Sequence, residues 1–181
     1  MQIATLEREI LAQDSYRPLG ISSEVYLTEE QFDSLSRLER FEAPYLEEKL
    51  LKEGEFSSSQ EYKGAFGEFK RYVALVDLNR GKDVMSMTSK GVDEVWHQFI
   101  LFTPQYHDFC DEMLGRYLHH VPKTSHTPSN PTGTKNFIKF YQEAFGYIPS
   151  IWGSSEDCGE PPGGCSSGDC SQPDDYPIKL I

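Results

Sequence analysis

Few cysteines, a shortage of basic residues and no long apolar run characterise this 181-residue chain. Four cysteines are too few for a disulfide framework at this length, and their thiols are expected to be reduced. The N-terminus, Met1 to Glu9, lacks a basic start and a sustained apolar stretch, so no secretory leader is expected. No segment reaches the ~18–20 apolar residues that span a bilayer. The expected location is therefore the cytoplasm. Bases are outnumbered, with 17 Lys and Arg against 29 Asp and Glu, for a formal charge of −12. Binding to duplex nucleic acid or to an anionic membrane needs a basic footprint, so neither partner is expected. Several motifs are missing as well: the Walker loop, the dinucleotide fingerprint, Gly-x-Ser-x-Gly and the helical zinc signature His-Glu-x-x-His.

The acidity is concentrated in two places. Residues 24–61 hold 11 acids and 4 bases, and residues 153–175 hold 6 acids and no base, which leaves the rest of the chain at +1. With 38% hydrophobic and 13% aromatic residues there is material for a core. Tyr62, Ala65, Phe66, Phe69, Tyr72, Val73 and Val76 recur on one face of a 3.6-residue period, predicting a helix over about 58–78. Ser58 with Glu61 reads as its capping box, and Asn79 to Gly81 as its stop. Thr28 with Gln31 predicts an earlier start, and Pro44 breaks that helix before a second piece ending at Gly54. Their acids are read as a solvated outer face.

Ser89 to about Leu118 predicts two helices, with Thr103-Pro104 as the restart and His119-His120 closing the second. Residues 121–134 read as a loop, and Thr134 opens a further helix stopped by Gly146. Glu24 to Leu27 is the one strand candidate. The expected fold is mainly α, a compact helical domain of about five to seven helices over residues 1–152. Residues 153–181 form a different region: 13 of residues 153–175 are Gly, Ser or Pro, and three are Cys. That composition predicts an irregular tail.

All five histidines, His97, His107, His119, His120 and His126, fall within thirty residues. Imidazole is the commonest transition-metal ligand and the usual acid or base near neutral pH. Asp93 and His97 are four apart on one helix edge, so the carboxylate can be a co-ligand or can orient the imidazole. Asp93, His97, His119 and His120 are the candidate metal ligands, with zinc a representative ion, provided that the chain brings His97 to the other end of the helix pair. Cys158, Cys165 and Cys170 are further candidates, spaced too widely for a Cys-x-x-Cys knuckle. Cys110 lies on an apolar stripe and reads as a buried small side chain.

The run from Val92 to Leu101, containing Asp93, Trp96 and His97, resembles the Asp-x-x-Trp-His segment of the glycine-rich domain-containing protein-like family. The similarity continues through Thr103 to Tyr106, Gly115-Arg116, His119-His120, Phe145-Gly146 and Ile151-Trp152-Gly153. It implies a helical domain with Asp93, Trp96, His97 and His120 as signature positions, and it brings no catalytic activity. Many plant members carry a second histidine two residues after the Trp-His histidine; Phe99 stands there in this chain.

The leading functional expectation is a helical domain that binds metal through its histidines and acts in metal- or partner-dependent interaction, with another protein as partner. One alternative is a metal-dependent hydrolase or oxidoreductase using His97, Asp93 and His119 or His120. The other is an acidic module that docks on a basic protein surface.

Overall fold

The computed structural model describes residues 16–80, 82–121, 130–153 and 169–170. Its architecture follows from one long helix that buries nearly a full face. Helix α3, Ser59–Asn79, carries the seven-residue stripe noted above, and every member of it is buried. The other elements pack around this axis. In chain order they are α1 (Glu29–Arg40), α2 (Pro44–Glu53), α3, β1 (Met85–Ser86), α4 (Lys90–Leu101), α5 (Thr103–Leu114), α6 (Pro131–Phe145) and β2 (Asp169–Cys170). Single 3-10 turns lie at Pro18–Gly20 and Ser150–Trp152. Among the described residues, six α-helices with almost no strand make the fold mainly α, as the periodicity predicts.

Local chemistry sets the helix ends. Thr28 and Gln31 form both halves of a capping box at α1. Ser58 caps α3 through the Glu61 amide, but the Glu61 carboxylate turns to the Ser57 amide and hydroxyl, so only half of the expected box forms. Pro44 starts α2 rather than kinking a continuous helix, since its fixed φ and missing N–H suit the first turn. Thr103 is already helical; Phe102 is the cap residue and makes no side-chain cap bond. Asn130 caps α6 through the Gly133 amide, so the helix starts at Pro131, three residues before the predicted Thr134. Residues 24–27 are turn and irregular chain rather than strand. The two short strands instead pair antiparallel, Met85 with Cys170 and Ser86 with Asp169.

The core is largely aromatic. Phe69 meets Phe66, Trp96, Phe99 and Phe109, and Tyr72 meets Trp96, Phe137 and Trp152. Such side chains each bury a large area and lock neighbouring helices by edge and stacked contacts. Helix α4 packs on α3, α2 and α5, so its inner face is fixed from three sides. The acidic first segment faces outward as expected, with Glu48, Glu53 and Glu55 exposed.

Candidate metal centre

Helix α4 builds two-thirds of the site. Ser89 caps it through the Val92 amide, and Val92, Val95, Trp96 and Phe99 are fully buried. That orientation places Asp93 and His97 one above the other beside the buried face, as i,i+4 neighbours do. Asp93 is pulled inward, with its side chain 6% exposed, while the His97 side chain remains 41% exposed.

The third member arrives from the chain beyond α5. Helix α5 stops at Leu114 because Gly115 turns left-handed at φ 63°, where glycine pays no side-chain penalty. His119 and His120 therefore do not close the second helix; they lie on the irregular segment that follows. A polar chain steers this segment. The Trp96 indole N–H donates to the Tyr106 hydroxyl at 2.8 Å, and that hydroxyl donates to the Leu118 carbonyl. Burial pushes the Tyr106 phenol far above its usual range, so it stays protonated and remains a donor. Leu118 is itself buried, and two residues later His120 enters with its side chain 2% exposed.

The result is a three-residue cluster. His120 Nε2 lies 2.9 Å from Asp93 Oδ1, and His97 Nδ1 lies 3.4 Å from Asp93 Oδ2. The two imidazole centroids are 4.3 Å apart, and the Trp96 ring meets His120 edge-on at 4.5 Å. One potential ligand atom from each of the three residues lies within 4.8 Å of the others. Bonds of about 2.1 Å would place cis ligands ~3.0 Å apart in an octahedral site and ~3.4 Å apart in a tetrahedral one. Each imidazole lies on that scale from one of the two Asp93 oxygens, and with all three ligand atoms inside 4.8 Å, Asp93, His97 and His120 are geometrically able to hold one metal ion. Without a cation, Asp93 is held between the two rings, which offsets the cost of burying a carboxylate.

The other candidates are placed differently. His119 is exposed and its ring packs against Tyr117 at 4.8 Å, outside the cluster. His107 pairs with Asp111 on the exposed side of α5. Cys158, Cys165 and His126 lie outside the described residues, and of Cys170 only the backbone, in β2, is described. Cys110 is fully buried; burial raises its thiol above the usual range and works against a nucleophilic role.

A second buried polar group was missed by the sequence reading. Glu68 accepts from the Tyr141 hydroxyl at 2.6 Å, the Trp152 indole N–H at 2.7 Å and Arg71 Nη1 at 2.9 Å. Its spacing contained a signal, because Glu68 stands three residues after Ala65 and four before Tyr72, both on the buried face. This network ties Trp152, in the 3-10 turn after α6, to α3.

Comparison with known families adds a membership. A family model described as UCP032817-like matches residues 34–141, more than half of the chain. The chain belongs to the UCP032817-like family. The match spans α1 through most of α6 and contains Asp93, His97 and His120 together with the Trp96–Tyr106–Leu118 chain. No curated protein and no solved structure matches the sequence. Among the described residues, no helix is long and apolar enough to cross a membrane.

Proposed function

We propose that this UCP032817-like protein is a metal-binding helical domain that holds one divalent transition-metal ion between Asp93, His97 and His120. The carrying observation is the convergence of two imidazoles and a carboxylate, from a helix and from a segment 27 residues away in sequence, at ligand spacing. Two nitrogens and one oxygen suit zinc and its neighbours better than the hard cations calcium and magnesium, which favour oxygen shells. The glycine-rich domain-containing protein-like resemblance supports the reading, since its signature positions Asp93, Trp96, His97 and His120 are the residues that form and wall the cluster. The bound ion serves interaction with a protein partner in the cytoplasm. A second reading, a metal-dependent enzyme, is favoured by one observation: His97 leaves a side of the cluster accessible to solvent.

Metal analysis of protein purified without a histidine tag tests the proposal. Wild-type protein and His119→Ala should bind one equivalent of zinc, and His97→Ala and Asp93→Asn should bind far less. Zinc at about 100 times its dissociation constant contributes about 2.7 kcal/mol. That corresponds to a rise in Tm of roughly 5–10 °C for a chain of this size. Substoichiometric Zn, Fe, Cu and Mn, with no thermal shift on adding any of them, would refute it.

A further inference from the structure

We infer that the metal at Asp93, His97 and His120 keeps an open coordination position on its His97 side and takes a small oxyanion there, through a carboxylate or phosphate oxygen. The inference rests on the metal-binding reading and adds the class of ligand. Structural zinc sites are closed by four protein ligands, whereas sites that bind exogenous ligands have three and keep one position free. Among the described residues the cluster contains three and no fourth His, Cys, Asp or Glu. Glu94, on the adjoining face of α4, accepts from Gln98 Nε2 at 2.8 Å and is not part of it.

Access and charge then select the ligand. The side chains of His120 and Asp93 are buried, and the Trp96 ring packs on the His120 ring in a T-shaped contact. Solvent therefore meets the cluster at His97, whose side chain is 41% exposed. A divalent ion held by one carboxylate and two neutral imidazoles retains one net positive charge. Partial burial weakens solvent screening of that charge, so an anionic donor is favoured over a neutral one. Oxygen donors suit a borderline ion in a nitrogen and oxygen shell.

Cobalt(II) replaces zinc in such shells and reports its coordination through visible d–d bands. The full-length wild-type protein, loaded with cobalt, is titrated with acetate, with inorganic phosphate and with chloride at matched ionic strength. Acetate or phosphate should shift the bands saturably, at concentrations about tenfold lower than chloride needs. The two arms distinguish a carboxylate source from a phosphate source. The same titration of a Cys158→Ser, Cys165→Ser, Cys170→Ser variant should give an unchanged response. Cobalt uptake with bands insensitive to either oxyanion would overturn the inference and leave metal binding intact. A wild-type response that emerges only once the three cysteines are removed would also overturn it, by showing a shell closed by thiolate. Failure to take up cobalt would overturn both readings.

Discussion

Replacing Glu68 with alanine tests whether the second buried network holds the domain together. The carboxylate side chain is 11% exposed and accepts three donors. Tyr141 and Trp152 are both buried, so neither the phenol nor the indole gains water when the acceptor is removed. Burial, then the hydrogen bond to Glu68, pushes the Tyr141 phenol above its usual range, so it remains a donor at ordinary pH. A buried donor left without a partner costs about 1–3 kcal/mol. Arg71 is one-third exposed and also bonds the Leu19 carbonyl, so water and that carbonyl recover most of its share. Glu68→Ala should therefore destabilise by about 3–5 kcal/mol, the scale of breaking one partner of a buried charged network. Against a total of about 5–15 kcal/mol, that is a large fraction. Trp152→Phe removes one donor and the pyrrole part of the indole while keeping a six-membered aromatic ring, and should lose about 1 kcal/mol beyond the packing change. Urea unfolding followed by far-UV circular dichroism measures both, with the midpoint moving at constant m. A loss below about 1 kcal/mol for Glu68→Ala would show that the network is not stabilising as argued.

Two further substitutions probe other parts of the fold. A Cβ at Gly133 would lie 2.4 Å from Ser86 Oγ and 3.2 Å from the Ser86 amide nitrogen, so Gly133→Ala should cost about 1–3 kcal/mol by overpacking; adding Ser86→Ala should recover part of it in the same urea assay. Burial raises the Asp77 carboxyl above the usual carboxylate range, against the opposing pull of Arg80 and Arg116. The folded state thus binds that proton more tightly than the unfolded chain does, and ionised Asp77 destabilises the fold at neutral pH. Asp77→Asn should then be more stable than wild type at neutral pH, with the gain fading as pH falls through the raised folded-state value and gone below the unfolded carboxylate value near ~4. A gain that is constant across the pH series would refute this assignment.

The predictability of each element follows from how local its cause is. The α3 stripe is a repeat within one helix, and all of its members are buried as the period requires. The capping box at Thr28 is equally local. Asp93 beside His97 is local too, which is why two of the three members of the candidate site could be read from spacing. His120 could be named only as one of two adjacent candidates. The choice between it and His119 depends on the Gly115 turn and on Tyr106 capturing the Leu118 carbonyl, both tertiary facts. Glu68 shows the converse case. Its position on the α3 face was visible, but its donors come from residues 141 and 152, far along the chain. The pairing of Met85 with Cys170 is more distant still, and a two-residue strand leaves no periodicity to detect.

The same core side chain fixes both the fold and the cluster. Trp96 packs against Phe69 and Tyr72, donates to Tyr106, and makes a T-shaped contact with His120. Helix packing therefore determines where Asp93 and His97 point, and the hydrogen-bonded chain from the same indole determines where His120 enters. Asp93 is partnered by both imidazoles at 2.9 and 3.4 Å, and the aromatic core brings the three groups together. In small metal-dependent domains the ion supplies the folding free energy because the core is too small to do so. Here a long buried helix face and interlocked aromatics supply a core of their own. The acidic outer face of residues 24–61 contributes no ligand to the cluster.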